Sequence, residues 1–397
     1  MIKTIIASTS EVDDVNLAVE DIKSQLASEN GNGQEQGFRQ DTKLLKNTIG
    51  IATCHYEFVS SGVYRALCEK LPFEIIGTVS PAQAVPNESG LLLLTLMIIT
   101  SDDTEFVKVL TPSLLSEPGK TITESYKSAA RGKKPDLIFT FAAFMIENSG
   151  DDYVKTISEI SDGAPCFGTL AVDDTADMSK CFILSDGDHY RDRMGMILAY
   201  GNIKPKFFIA NISDNKILEK SAVVTKSSGH ILMEVNGNPV MEYLEELGLT
   251  KASEITYAMS AIPFLLDYND NTPKVSKIFI SFTPEKYAIC AGSMPQGSTL
   301  YIGITDKDDV LITTGEAVDK ILESAGDASG LLIYSCISRG MALGYEQFKE
   351  MDLIREKLGG KIPFLMANSG GEICPTMVLN EKTINRFHNN AFIACLF

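Results

Sequence analysis

The run IGIATC at residues 49–54 recurs in kind as LIFTF at 137–141 and LIYSC at 332–336, and these three stretches decide the fold. Each is a short, bounded apolar run and reads as a buried strand. A polar break and a helical stretch follow each one. A proline then opens a second apolar run: PFEIIG at 72–77, PCFG at 165–168 and PFLM at 363–366. Strands that alternate with helices predict an α/β protein with mixed sheets flanked by helices.

Outward from these runs, the second and third copies correspond over a longer span. Residues 105–110 match 299–304 as strands, and 119–132 match 315–326 as helices. Asp174 falls opposite Glu372. The closing runs, MGMILAY at 194–200 and AFIACLF at 391–397, both read as strands. This correspondence predicts two pseudo-repeated halves, 1–222 and 223–397, each a sheet flanked by helices, stacked as α/β/β/α. Within residues 350–358, Met351, Ile354 and Leu358 recur at helical spacing and predict one buried face, with Asp352, Arg355 and Glu356 opposite. Gly359 and Gly360 supply the stop. Residues 28–41 (SENGNGQEQGFRQD) read as a mobile polar loop and 267–273 (DYNDNTP) as a turn cluster.

Composition bounds the function. The chain has 397 residues, 44% hydrophobic and 22% charged, which suits a globular protein with a large core. It carries 35 Lys plus Arg against 52 Asp plus Glu, a formal net charge of −17. Such a chain has no general attraction to phosphate backbones or anionic lipid, so neither nucleic acid nor membrane is expected as a partner. The longest largely apolar run, LLLLTLMII at 91–99, is too short to span a bilayer. The first residues read as a strand, not a secretory signal, so a cytoplasmic location with reduced thiols is expected. Eight cysteines include no CxxC pair, so no structural zinc site is expected. GxxxxGK[ST], GxGxxG, GxSxG and HExxH are all absent, and no cofactor is expected.

Four stretches carry candidate chemistry. In SCISRG at 335–340, Ser335, Cys336 and Arg339 close a buried strand, where open α/β sheets collect ligands. Arg339 could clamp a carboxylate or phosphate through its fork. Cys336 could act as a nucleophile if a cation lowered its pKa; otherwise it is a small buried hydrophobe. In NSGGEICP at 368–375, Ser369 and Gly371 belong to a tight turn that can aim N–H groups at an anion or zwitterion, and Glu372 can accept from an amine. In FHNN at 387–390, His388 and Asn389 can serve as base or ligand partners. Asp173 and Asp174, with Asp177, Asp186 and Asp188 nearby, make a possible second site, for which a solvated acidic loop is the better reading.

Taken in order, MEVNGNPVMEYL (233–244), MPQGS (294–298), YSCISRG (334–340), GEICP (371–375) and FHN (387–389) form a pattern. It resembles the C-terminal domain of the FIST family, the sensory domains named for F-box and intracellular signal transduction proteins. The first half is similar to the FIST N-terminal domain at residues 50–53, 76–78, 136–140 and 167–168. The resemblance implies an intracellular sensory module that binds a small ligand, amino acids being proposed among them, and signals through a partner protein. It places Arg339, Glu372, His388 and Asn389 at the pocket. The chain departs from the family at residues 366–369 (MANS), where glycine and aromatic residues are common, and carries Lys277 where the basic residue is often Arg. The expectation is a cytoplasmic sensor of an amino acid or similar metabolite. The alternatives are a thiol-dependent enzyme using Cys336 with His388, or a pocketless adaptor.

Overall fold

The structure is a computed structural model that describes residues 1–27, 42–145, 149–175, 178–247 and 262–397. The expected mobile loop at 28–41 lies outside the described residues.

The chain folds as one unit written three times. The first unit runs β1 (Ile2–Thr9), α1 (Val15–Ala27), β2 (Asn47–Cys54), α2 (Glu57–Ser60), α3 (Val63–Lys70) and β3 (Glu74–Val79). It then makes a hairpin of β4 (Gln83–Ala84) and β5 (Ser89–Gly90) and closes on β6 (Leu94–Ser101). The second repeats the plan with β7 (Glu105–Leu110), α4 (Pro118–Ala130), β8 (Leu137–Ala143), α5 (Gly150–Ile160) and β9 (Cys166–Ala171). Its hairpin is β10 (Ile183–Ser185) and β11 (Asp188–Tyr190), and its last strand β12 (Met194–Tyr200).

The third unit opens with β13 (Lys206–Ala210) and is interrupted by an insertion. The insertion holds β14 (Ala222–Ser228), β15 (Ile231–Val235), β16 (Asn238–Pro239), α6 (Val240–Glu246), β17 (Phe264–Asp267) and β18 (Val275–Lys277). It ends with β19 (Phe279–Phe282), β20 (Ala288–Cys290) and β21 (Thr299–Ile302), and folds into a sheet over its own core. The unit then resumes with α7 (Lys307–Ser324), β22 (Leu331–Cys336), α8 (Ile337–Leu343), α9 (Lys349–Leu358) and β23 (Phe364–Ser369). Its hairpin is β24 (Glu372–Leu379) and β25 (Lys382–His388), and it closes on β26 (Phe392–Leu396).

Each unit's sheet has the same strand order and is completed by another unit's hairpin. The orders are β1-β6-β2-β3-β10-β11, β7-β12-β8-β9-β24-β25 and β13-β26-β22-β23-β4-β5. In each sheet one pair is parallel, β2 with β3, β8 with β9 and β22 with β23, and the other neighbours are antiparallel. The second unit lends its hairpin to the first sheet, the third to the second, and the first to the third. The exchange closes a ring. The inner faces of all three sheets meet in one core that includes Ile51, Phe139 and Tyr334. The outer faces are covered by each unit's own helices.

The α/β class therefore stands, with mixed sheets flanked by helices. The arrangement differs from an α/β/β/α stack of two halves: three sheets, not two, share the central core, and a fourth lies in the insertion. Residues 299–302 belong to that inserted sheet, so the strand matching β7 is β13. Asp174 lies in a loop, and the residue that occupies Glu372's place in the second hairpin is Ile183: Ile183 faces Thr78 and Tyr190 where Glu372 faces Thr169 and His388. In α9, Met351, Ile354 and Leu358 are buried as the spacing predicts, and Gly359 ends it at φ 53°.

Candidate functional site

The root of the third hairpin carries the polar chemistry. Glu372 opens β24 and sits directly across the ladder from His388, the last residue of β25. Antiparallel partners share a face of the sheet, so the two side chains stand side by side. Glu372 is 0% and His388 1% exposed, and Asn389 follows, fully buried. Buried polar atoms are nearly always hydrogen-bonded, and an unmet one costs about 1–3 kcal/mol. Yet among the described residues Glu372 Oε1, both His388 ring nitrogens and both Asn389 amide atoms have no partner. The other carboxylate oxygen, Oε2, accepts a long hydrogen bond from the Ala391 N–H at 3.4 Å. The Asn389 N–H donates to the Ser276 carbonyl at 3.0 Å, and the Ser276 hydroxyl, also buried, is open as well.

The equivalent places in the other hairpins hold no acid–imidazole pair, although one of them, Gln83, is also buried with its Oε1 unpartnered. They are Ile183 with Tyr190 in the second hairpin, while the shorter first hairpin presents Gln83 opposite Gly90. The open polar cluster is thus a feature added to one copy of a repeated scaffold, not a consequence of the scaffold.

Burial sets the electrostatics. It pushes the Glu372 carboxyl well above its usual range, against the pull of Ser369, the Ala391 N–H and the Cys336 thiol. It drops His388 to about 3, with the Lys277 and Arg386 charges adding to the effect. It lifts the Cys336 thiol to about 12, helped by Glu372. At neutral pH the imidazole is neutral and Cys336 is a thiol, and burial favours the protonated form of Glu372. Thiolate chemistry needs the opposite arrangement.

Arg339 does not join this cluster as a clamp. It is fully buried, and its fork is consumed by its own chain. Nε donates to Glu350 Oε1 at 2.9 Å, Nη1 to the Asn211 carbonyl at 3.2 Å, and Nη2 to the Val310 carbonyl, Thr313 and Thr314 at 3.1, 3.2 and 2.7 Å. Ser335 donates to the same glutamate at 2.7 Å. The expectation of a free cationic fork is corrected by Glu350, a buried acid on α9 that the sequence reading placed on no face. Ser369 is likewise occupied, accepting from Thr169 Oγ1 at 2.7 Å and donating to the Gly371 carbonyl at 2.8 Å. Gly371 is required: a β-carbon there would lie 2.3 Å from the Phe387 ring and 3.2 Å from Asn389 Nδ2.

A second buried pair borders the cluster. Lys277 is 0% exposed; its ammonium donates to both Asp151 oxygens at 3.0 and 2.9 Å and to the Phe387 carbonyl at 2.7 Å. Burial alone would lower Lys277, but Asp151 more than offsets it and the ammonium titrates above its ordinary value. Outside this pair opens a surface cleft of about 520 Å³ lined in part by Asp151, Tyr268, Ser293 and Arg386. Sequence reasoning flagged Lys277 but missed Asp151 and Ser276, for which no local motif exists.

The acidic stretch is not one site. Asp173 caps its own loop, accepting from the Thr175 N–H and hydroxyl at 2.7 and 2.6 Å and from the Lys180 N–H. Asp174 is exposed, 3.4 Å from His55 Nε2. Asp186 pairs with Lys108, and Asp188 with Arg65 at 2.9 Å. Asp177 lies outside the described residues.

Comparison with known families matches residues 48–238 to the FIST N domain and residues 239–375 to the FIST C domain. The F-box expansion of the family's name does not hold. No curated protein matches the chain. Among solved structures, phosphoribosylformylglycinamidine synthase II from Thermotoga maritima aligns with all of this chain and 72% of its own, at 10% identity and a TM-score of 0.19. That likeness carries no inference. Among the described residues, no helix is long and apolar enough to cross a membrane.

Proposed function

From the premise that the chain belongs to the FIST family, whose domains are sensory domains of signal transduction, we propose that it is a cytoplasmic sensor whose small polar ligand is held at Glu372, His388 and Asn389. One observation carries the reading: among the described residues, five buried polar atoms of these three residues stand together without partners at the root of one hairpin. A protein does not keep such atoms dry without return; water or a ligand completes them. The signal leaves through a partner protein. An amino acid is the class that the family resemblance favours, and Glu372 stands where an amine would meet it. The carboxylate of such a ligand would need a cation other than Arg339.

The test is a thermal-shift screen of the full chain against amino acids and small polar metabolites. A ligand at 100 times its Kd stabilises by about 2.7 kcal/mol. His388→Gln should remove the response while the variant still melts cooperatively. Folded protein that responds to nothing in a broad panel would defeat the proposal. No observation favours the thiol-enzyme alternative, since burial and Glu372 both hold Cys336 as a thiol. The open polar atoms speak against a pocketless adaptor.

A further inference from the structure

We propose that the cleft outside the Lys277–Asp151 pair is a binding site of its own, for a small monocarboxylate with an apolar body, received by Arg386. The inference goes beyond the reading of Glu372, His388 and Asn389 and does not depend on it.

The cleft, of about 520 Å³, falls within the range of small-molecule pockets. It lies where three parts of the chain meet: α5 of the second unit, β25 of the third unit's hairpin, and the insertion, which brings Tyr268 and Ser293. The insertion packs around its own core, so the cleft marks a boundary between separately packed bodies, where ligand sites concentrate. Val154, Ile384 and Pro295 give it apolar lining.

The charged residues of the lining are in different states. Asp151 is held by Lys277 and by the Ser293 N–H at 2.7 Å. Asp152, Lys155 and Glu159 are exposed on a shared face of α5, with the lysine between the two acids. Arg386 is the cation with unmet capacity. Its guanidinium lies over the Tyr268 ring, 4.5 Å from the centroid, and its Nη2 donates to Asp270 Oδ2. The other Asp270 oxygen is committed to Thr272, accepting from its N–H at 3.0 Å and its hydroxyl at 2.6 Å. Asp270 therefore does not take the guanidinium with both oxygens, and the buried Nε has no partner among the described residues. A guanidinium edge matches the two oxygens of a carboxylate. The Arg386 side chain keeps 22% of its surface exposed and lines the cleft, so a ligand carboxylate there can complete the fork. Asp152 and Glu159, with one lysine between them, leave one acid in excess on the helix wall and disfavour a second negative charge on the ligand.

The experiment titrates the full chain calorimetrically at neutral pH with four probes of equal length: hexanoate, hexanamide, hexylamine and adipate. Hexanoate should bind tightest, by about tenfold or more over the amide, because a charge-assisted fork is lost with the charge. Arg386→Gln, melting cooperatively, should erase the preference for hexanoate over hexanamide. Asp270→Asn, which frees Nη2, should hold or tighten hexanoate binding, and His388→Gln should leave it within about twofold, which separates this site from the polar cluster. If Arg386→Gln does not fold, Ile384→Glu, which sets a carboxylate on the apolar wall, should weaken hexanoate by about tenfold. Hexylamine, hexanamide or adipate binding as tightly as hexanoate would overturn the proposal. So would a hexanoate preference that survives Arg386→Gln or, where that variant is unfolded, Ile384→Glu, and so would the absence of hexanoate binding to folded protein.

Discussion

Arg339 shows how a residue can be chosen rightly and read wrongly. Its place at the end of a buried strand was visible in SCISRG, and it does lie there. Its role was not visible, because its counter-ion, Glu350, sits eleven residues on in a helix whose apolar spacing leaves that position undecided. Breaking a buried pair leaves a lone charge, so Arg339→Met should cost about 3–5 kcal/mol in chemical denaturation. A loss below about 1 kcal/mol would show that the fork is not bound as described. Glu372 and His388 make opposite predictions about pH. Unfolded, His388 would titrate near 6.5; folded it titrates at about 3, so it binds fewer protons folded, and its contribution to stability is lost as pH falls below 6.5. Glu372 is raised above its ordinary 4.5, binds more protons folded, and loses stability as pH rises past that value. Between about pH 4.5 and 6.5 the two slopes oppose, each at most about 1.4 kcal/mol per pH unit. Measured by denaturant titration, His388→Gln should make stability fall with rising pH relative to the parent, and Glu372→Gln should do the reverse. Three parallel curves would contradict the charge states assigned here.

At the scale of elements, the strands were legible and their partners were not. IGIATC, LIFTF and LIYSC are the second strands of the three sheets, as continuous apolar runs suggest, because both faces are covered. The hairpins were hidden. β4 and β5 have two residues each, too few for any period to show, and β24 carries its polar residue at the first position. In two of the three parallel pairs a glycine permits close approach. A β-carbon on Gly168 would lie 2.0 Å from the Thr140 carbonyl oxygen, and one on Gly77 1.8 Å from that of Ala52. Neither backbone can yield without moving its ladder. Gly168→Ala should therefore cost about 3 kcal/mol or more in thermal or denaturant unfolding, at the upper end for a single substitution. A variant as stable as the parent would mean that β8 and β9 are not so closely seated.

At the scale of the molecule, the sequence displays the repeat and conceals its number. Three copies of the strand-helix-proline-strand pattern were in view, but matching the second and third over a longer span drew residues 299–304 into the repeat and suggested two halves. The insertion between β13 and α7 is the cause: it separates the third unit's first strand from the rest and supplies an apolar strand at the expected place. The ring of exchanged hairpins has a consequence for stability. A fragment of residues 1–222 would leave β4, β5 and β13 without their sheet and β9 without β24. It should show no cooperative melting by circular dichroism, while the full chain melts in a transition that includes all three sheets. Cooperative melting of the fragment would show that the units are more independent than the topology implies.

The most direct test of the central claim is a crystal structure of the full chain grown with a probe whose thermal shift His388→Gln removes. The account predicts the probe within hydrogen-bond distance of Glu372 Oε1 and a His388 nitrogen, with Arg339 still on Glu350. A probe bound elsewhere, with Glu372 and His388 satisfied by the chain itself, would contradict it.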